Sequence, residues 1–192
     1  MFKGRNFRIL YADPPWTFKT FSDEGKDRAP EQHYQTMTIE DICALPVKEW
    51  VADDALCYVW AYQPLLPETF NVMDSWGFKF VTIGFVWVKI NGGQDRLFYA
   101  QEDVKKGLGY YTRAGAEICL IGKRGKGIPN RISKSEAQVV LSPLREHSRK
   151  PDEIAESIVE LNGDVPRLEM FARTKRKGWE LFGNETEKFG EV

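Results

Sequence analysis

Short apolar runs separated by polar stretches of helical periodicity most restrict how this chain can fold. Strands are predicted for six runs rich in β-branched and aromatic residues: Phe7–Ala12, Leu56–Ala61, Val81–Lys89, Glu117–Gly122, Arg167–Ala172 and Glu180–Phe182. Three helices are predicted between them: one after the N-cap Thr38, with Asp41 three residues on, one over Gln63–Met73 and one opening at Lys150–Glu153. The apolar face of the third helix is marked by Ile154, Ile158, Val159 and Leu161. Alternating strands and helices indicate an α/β fold with helices on both faces of the sheet. We therefore expect core strands buried on both sides.

The chain length predicts a single domain over residues 1–192. Its 27 basic and 28 acidic residues nearly cancel, so a polyanion would have to bind a local patch rather than the field of the whole protein. The first apolar run is too short for a signal peptide, and no stretch of 18 apolar residues follows. We expect a cytoplasmic protein that does not enter a membrane.

The cysteines predict neither disulfides nor a metal centre. Cys43, Cys57 and Cys119 are odd in number, widely spaced and set in apolar surroundings, which is typical of reduced core thiols. His33 and His147 are the only histidines, and no spacing resembles a zinc site. We expect no metal.

Three long stretches lack convincing periodicity: 17–37, 91–113 and 123–149. Loops of this length are uncommon in a compact domain unless they bind a ligand or cover a site. We predict functional loops. The alternative is a set of solvated insertions, one of them a hairpin around Gly92 and Gly93.

The segment Asp13-Pro14-Pro15-Trp16 directly follows the first predicted strand, where open α/β sheets place their ligand crevice. Two prolines fix the turn, and they should leave the carbonyl groups of Asp13 and Pro14 free beside the carboxylate, as acceptors for an amino group. Trp16 could stack on a heteroaromatic ring. The alternatives are an ordinary turn carboxylate for Asp13 and a core aromatic for Trp16.

Here the sequence resembles the MT-A70 family of S-adenosylmethionine-dependent adenine N6-methyltransferases. The Asp-Pro-Pro-Trp segment is similar to the family's catalytic motif, and six further segments follow in the family's order: His33–Met37, Trp87–Lys89, Gly115–Gly122, Lys150–Glu153, Leu168–Arg173 and Trp179–Asn184. The resemblance implies a Rossmann-like methyltransferase fold with a mixed, mostly parallel sheet. It also implies that Asp13 to Trp16 are catalytic and that S-adenosylmethionine is the cofactor.

The resemblance assigns roles to particular residues. Asp13 and the Pro14 carbonyl would accept hydrogen bonds from the adenine N6 amino group, while Trp16 and Tyr34 would stack on the target base. A paired adenine must be flipped out first, so unpaired or mismatched adenines should be easier substrates. The implied cofactor-binding residues are Asp13, Arg173, Lys175, Arg176, Asn184 and Glu185. A solvated basic turn or a phosphate contact is the alternative for residues 173–177.

Nucleic-acid contacts are expected from local basic residues. The implied substrate-binding residues, besides Trp16 and Tyr34, are Lys89, Arg145, His147 and Arg149. A second basic stretch contains Lys123, Arg124, Lys126 and Arg131. It is glycine-rich but lacks the spacing of a phosphate-binding loop, so a flexible hairpin or a substrate loop is the better interpretation.

The compact chain resembles the bacterial or phage branch of the family, which favours DNA as the substrate over RNA. A catalytically silent nucleic-acid-binding subunit and a methyltransferase acting on a protein or small-molecule amine remain as alternatives. A homodimer or a partner subunit could complete target selection, because no separate recognition domain fits in 192 residues.

Overall fold

The computed structural model describes residues 2–17, 36–91, 98–146 and 148–192. Seven strands and three α-helices are found there: β1 (Phe7–Ala12), α1 (Ile39–Ala44), β2 (Val51–Ala61), α2 (Leu66–Ser75), β3 (Lys79–Ile90), β4 (Ala116–Arg124), β5 (Val139–Pro143), α3 (Asp152–Asn162), β6 (Arg167–Met170) and β7 (Glu180–Phe182). Single 3-10 turns span Val47–Glu49, Gln63–Leu65 and Gln101–Asp103. Of the described helices, none has the length and apolar character needed to cross a bilayer.

The strands form one sheet in the order β5-β3-β4-β2-β1-β6-β7. β4 runs antiparallel to β2 and β3, whereas the other four neighbouring pairs are parallel. The predicted mixed, mostly parallel sheet is confirmed. As a result, the carboxyl ends of the parallel strands and the amino end of β4 share one margin of the sheet, here named the carboxyl edge.

Helices cover both faces of the central strands, as predicted. Leu10 of β1 packs in a core cluster with residues of α1 and α2, such as Ile42 and Val72, whereas its neighbour Ile9 packs on the other face with Ile154 of α3. Side chains of successive strand residues point to opposite faces, so β1 contributes to both clusters.

Two of the three predicted helix starts are confirmed, whereas α2 begins at Leu66, after the 3-10 turn over Gln63–Leu65. The Thr38 hydroxyl oxygen accepts the backbone N–H of Asp41 at 3.1 Å, so Thr38 is the N-cap of α1. α3 begins at Asp152, directly after Pro151, and buries the predicted apolar face through Ile154 and Ile158.

The structure corrects several sequence predictions. β5 lies inside the stretch 123–149 that was predicted to be a loop. β2 begins at Val51, five residues earlier than predicted, and β6 ends at Met170 because Phe171 adopts a left-handed backbone (φ +59°). The first half of β3 is exposed rather than buried, since β5 pairs only with Val86–Ile90.

All three cysteines are free thiols, and Cys57 and Cys119 are buried, as expected. Burial raises the pKa of both buried thiols, so they are unreactive core residues. Gly92 and Gly93, where a hairpin was considered, lie outside the described residues.

Candidate active site

The turn after β1 is held by backbone hydrogen bonds. Trp16 N–H donates to the Pro14 carbonyl at 2.9 Å, which closes a three-residue turn around Pro15. Met37 N–H donates to the Pro15 carbonyl at 2.9 Å and ties the turn to the segment that precedes α1. The prediction of a free Pro14 carbonyl is therefore wrong, although its second lone pair can still accept a hydrogen bond.

Asp13 lies between two cations. Its Oδ2 atom accepts from Lys150 Nζ at 2.9 Å and from Arg173 Nη2 at 2.7 Å. Arg173 also donates to the carbonyl and hydroxyl oxygens of Ser148. Among the described residues, the side-chain contacts of Asp13 are made through Oδ2. The other carboxylate oxygen, Oδ1, can therefore accept an N–H group of a ligand.

Glu117, at the start of β4, shares Lys150 with Asp13. Lys150 Nζ lies 3.2 Å from Glu117 Oε2, and Lys89 Nζ lies 2.5 Å from Oε1. Burial opposes ionisation of Glu117, but Lys150 and Lys89 outweigh it and lower the pKa of Glu117 to about 2. Burial likewise favours a neutral Lys150, yet Asp13 and Glu117 raise its pKa. The result is a charged row, Lys89–Glu117–Lys150–Asp13, along the carboxyl edge.

Glu117 and Lys150 lie in segments that resemble the family, but neither was among the predicted catalytic or cofactor-binding residues. The sequence carried a partial signal, because each is a charged residue at the start of a predicted strand or helix. The sequence did not show that the two meet, because strand order brings them together.

Arg176 forms ion pairs with carboxylates in the interior of the protein. Its guanidinium contacts Glu169 at 3.1 Å and Asp152 at 2.5 Å, and its side chain is 8% exposed. Burial raises the pKa of Glu169 to about 7, even though Arg176 opposes that change. The predicted cofactor contact of Arg176 does not fit these positions, because leaving them would remove the cation that pairs with the buried Glu169 carboxylate.

Arg145 and Arg149 are engaged in the same way. Both guanidiniums contact Asp152 Oδ2, and Arg145 also donates to the Lys150 carbonyl at 2.9 Å. Arg149 further pairs with Glu146 at 3.1 Å. The predicted phosphate contacts are inconsistent with this arrangement, in which the two arginines anchor the segment before α3.

A cleft of about 550 Å³ opens beside Asp13. Its volume falls within the range of roughly 300–1,000 Å³ typical of small-molecule sites. Eleven residues line it: Asp13, Pro14, Pro15, Met37, Phe171, Ala172, Arg173, Phe182, Gly183, Asn184 and Glu185. Gly183 is required for this shape, since a Cβ there would lie 3.0 Å from the backbone N and O of Ala172.

The cleft suits S-adenosylmethionine in its donor set. A guanidinium, an amide and a carboxylate (Arg173, Asn184 and Glu185) stand among apolar side chains, as a ligand with a charged tail, ribose hydroxyls and a flat base requires. Lys175 lies elsewhere: its ammonium pairs with Glu191 at 3.4 Å on the surface, so its predicted cofactor contact has no support.

Trp16 is buried rather than displayed. Its side chain is 6% exposed and packs in the core cluster that contains α1 and α2, and its Nε1 has no hydrogen-bond partner among the described residues. The structure favours the core-aromatic alternative over stacking on the target base. The ring anchors the Asp13–Trp16 turn to the core.

The other predicted substrate residues are dispersed. Lys89 pairs with Glu117 and lies 5.1 Å from the centre of the Trp87 ring. Tyr34 and His147 lie outside the described residues. Arg124 pairs with Ala55 in the register of β2 and β4, so the basic stretch that begins at Lys123 is at the sheet margin opposite Asp13. A substrate loop there could not reach Asp13 without rearrangement.

No group of three or more metal-ligating side chains is brought together by the described residues. The absence of a metal therefore stays a prediction from sequence.

This sheet, with a carboxylate turn and a cofactor-sized cleft at its carboxyl edge, belongs to the Rossmann-like class of α/β methyltransferases. The sequence matches the MT-A70 family over residues 7–185, and the chain belongs to that family.

The curated relatives that this chain matches vary widely in length. Type II methyltransferase M.MunI of a Mycoplasma species is 24% identical over 94% of this chain and 78% of its own length. The probable N(6)-adenosine-methyltransferase MT-A70-like of Oryza sativa subsp. japonica is 29% identical over 93% of this chain but 23% of its own length. Human METTL3, an N(6)-adenosine-methyltransferase catalytic subunit, is 26% identical over 93% of this chain and 28% of its own length. The chain thus spans about a quarter of each of these two eukaryotic relatives.

Proposed function

We propose that the protein transfers a methyl group from S-adenosylmethionine to the N6 amino group of adenine in DNA. Its class, an adenine N6-methyltransferase, is that of its family. The methyl donor, the polymer and the roles of individual residues are our proposal. The observation that carries it is the position of Asp13, whose carboxylate faces the same cleft as Arg173, Asn184 and Glu185.

Arg173, Asn184 and Glu185 would hold the cofactor. The Arg173 guanidinium suits a carboxylate tail, while the Asn184 amide and the Glu185 carboxylate suit ribose hydroxyls. When bound, the cofactor supplies a methyl group on a positively charged sulfur. The apolar side chains of Phe171 and Phe182 line the same cleft as these polar groups.

Asp13 would orient the amine. Oδ1 accepts one N6–H, which draws the nitrogen lone pair out of ring conjugation and aims it toward the methyl donor. Lys150 and Arg173 hold Oδ2, so the carboxylate cannot rotate away from this position. N6 gains a methyl group and loses one proton, which passes to water. No covalent enzyme intermediate is needed.

DNA is favoured over RNA by the likeness to a Type II methyltransferase, of which this chain covers 78%. RNA is the second candidate, because the eukaryotic relatives are named for adenosine, the ribonucleoside. Both polymers therefore belong in the first assay.

The test is nucleoside mass spectrometry after incubation with S-adenosylmethionine and, in parallel, single-stranded DNA, duplex DNA and RNA. We expect N6-methyladenine in the DNA pools. Asp13→Asn keeps the size of the side chain but removes its charge, and Asp13→Ala removes the acceptor. Both should lower turnover by at least about 10²–10³-fold, with cofactor affinity in calorimetry within about tenfold.

Asp74→Asn, a change at an exposed carboxylate on α2, is the matched control and should keep wild-type turnover. Methylation by Asp13→Ala at the wild-type rate would remove Asp13 from catalysis. A wild-type protein that binds the cofactor but methylates no pool would support a silent subunit instead.

A further inference from the structure

The hairpin between β3 and β4, residues 105–115, combines exposed aromatic side chains with positive charge. It contains three cations, Lys105, Lys106 and Arg113, and no acidic residue. All three are exposed. Tyr111 is fully exposed and Tyr110 is half exposed, at 51%. Large apolar side chains clustered at the surface mark interaction sites more often than isolated ones do.

Backbone hydrogen bonds anchor this hairpin to the end of β3. Gly107 N–H donates to the Ala114 carbonyl at 2.7 Å across the hairpin. Lys105 N–H donates to the Lys89 carbonyl, and Lys89 N–H donates to the Gly115 carbonyl, both at 2.8 Å. Both arms of the hairpin are therefore fixed to the carboxyl edge.

Side-chain contacts place the hairpin beside the candidate active site. Tyr110 is hydrogen-bonded to Tyr62, which directly follows β2 on the same edge. Lys89, the anchor of both arms, belongs to the charged row that ends at Asp13. A polymer that delivers a base to Asp13 would pass this surface.

The backbone at Tyr111 is strained in a way that stability does not explain. Its φ is +61°, a left-handed conformation that costs an aromatic residue free energy. Gly109 shapes the same turn, since a Cβ there would lie 2.4 Å from the Thr112 carbonyl. The Tyr111 side chain is fully exposed, so no burial of apolar surface offsets the cost of this backbone conformation. Strained backbone conformations of this kind cluster at binding sites and active sites.

We propose that this hairpin is a stacking platform for unpaired nucleotides that flank the target adenine. Tyr111, assisted by Tyr110, stacks on a neighbouring base, while Lys105, Lys106 and Arg113 contact phosphates. The inference rests on the proposed function and adds its substrate class, a locally single-stranded polymer. Charge favours nucleic acid over a protein partner, because lysine is depleted in protein interfaces.

The first test is fluorescence anisotropy with a labelled single-stranded DNA 12-mer that contains one adenine. Tyr111→Ala should weaken binding by about 5- to 100-fold, the range for loss of one stacked base. Tyr111→Phe keeps the ring and should bind within about twofold of wild type. Wild-type affinity of Tyr111→Ala would overturn the proposal.

A double-mutant cycle identifies the contact as stacking. The nucleotides on either side of the adenine are replaced by abasic sites. This should weaken binding of the wild type about as much as Tyr111→Ala does, and it should weaken Tyr111→Ala much less. Equal losses in both proteins would overturn a stacking role.

Salt dependence tests the phosphate contacts. Lys106→Ala should reduce the slope of log affinity against log salt by about 0.7, the value for one single-strand phosphate. Lys123→Ala makes the same charge change at the opposite margin of the sheet and should leave the slope unchanged. Equal effects of the two variants would overturn the assignment.

These outcomes separate the inference from the proposed function. A wild-type protein that neither binds oligonucleotides nor methylates them overturns both. If the wild type methylates adenine but Tyr111→Ala binds and methylates equally well, only the platform is overturned. If wild-type dimers in sedimentation become monomers in Tyr111→Ala with unchanged DNA affinity, the hairpin is a protein interface and the platform is likewise overturned.

Discussion

At the residue scale, Lys150 has the most demanding position. Its ammonium is 11% exposed, contacts Asp13 and Glu117, and lies 5.3 Å from the centre of the Trp60 ring. A buried ammonium is stable only when it is paired, and two carboxylates provide that pairing here. Lys150 therefore positions Asp13 and helps to hold β4 beside β1 and β2.

Glu169 offers a test of the buried charges next to the site. It pairs in register with Tyr11 of β1, and Arg176 shares its charge between Glu169 and Asp152. Burial raises the pKa of Glu169 to about 7, so the folded state favours the protonated form more than the unfolded state does. Its contribution to stability is therefore full below about pH 4.5 and declines as the pH rises to 7.

We expect Glu169→Gln to remove this decline, which amounts to up to about 3 kcal/mol. Urea unfolding of wild type and variant from pH 4 to 8 measures it. Glu156→Gln, on the exposed side of α3, is the control and should follow the wild-type curve. A Glu169→Gln curve parallel to wild type between pH 4.5 and 7 would show that Glu169 titrates normally.

At the scale of elements, the segment before α3 depends on Asp152. Arg145, Arg149 and Arg176 all contact this carboxylate, which joins the segment after β5, the start of α3 and the loop after β6. Burial disfavours ionisation of Asp152, but Arg145 and Arg176 outweigh it and lower the pKa of this carboxyl group. The group fixes the backbone that presents Lys150 to Asp13.

Arg145→Ala should therefore reduce stability rather than nucleic-acid affinity. We expect a loss of about 1–3 kcal/mol in thermal or urea unfolding, since a charged acceptor loses one donor. Arg145→Lys keeps the charge but not the planar geometry and should be intermediate. The salt slope of oligonucleotide binding should stay unchanged, and a slope reduced by one phosphate contact would restore Arg145 to the interface.

At the scale of the whole molecule, the described residues form one sheet with its helices, and Asp13 opens to the carboxyl edge. Recognition by this part of the chain must come from short segments at that edge. Such an enzyme has limited means of opening a duplex, and extracting a paired base costs a few kcal/mol.

Duplexes with a mismatched adenine should therefore be better substrates than fully paired ones. We expect kcat/KM to be on the order of 10- to 100-fold higher for the mismatch. Steady-state methylation of matched oligonucleotide pairs that differ at one base measures this ratio, with the single strand as reference. Equal values would indicate that base extraction does not limit the reaction.

Features that are encoded within a few neighbouring residues could be predicted from the sequence alone. Apolar periodicity located β1, β7 and the buried face of α3, and the pair Thr38 and Asp41 marked the start of α1. The position of the Asp13–Trp16 segment directly after β1 placed it at a ligand-binding edge. These features depend on local hydrogen bonding and on which side of one element is apolar.

Which charged side chains contact each other depends on tertiary packing. Arg173 contacts Asp13 across 160 positions of sequence, and Lys150 does so across 137. The same packing buries Trp16 and places the Arg176 guanidinium against Glu169 rather than in the cleft beside Asp13. Strand order and helix docking set these pairings, and no local pattern carries that information, because an arginine has the same sequence signature whether it binds a ligand or a buried carboxylate.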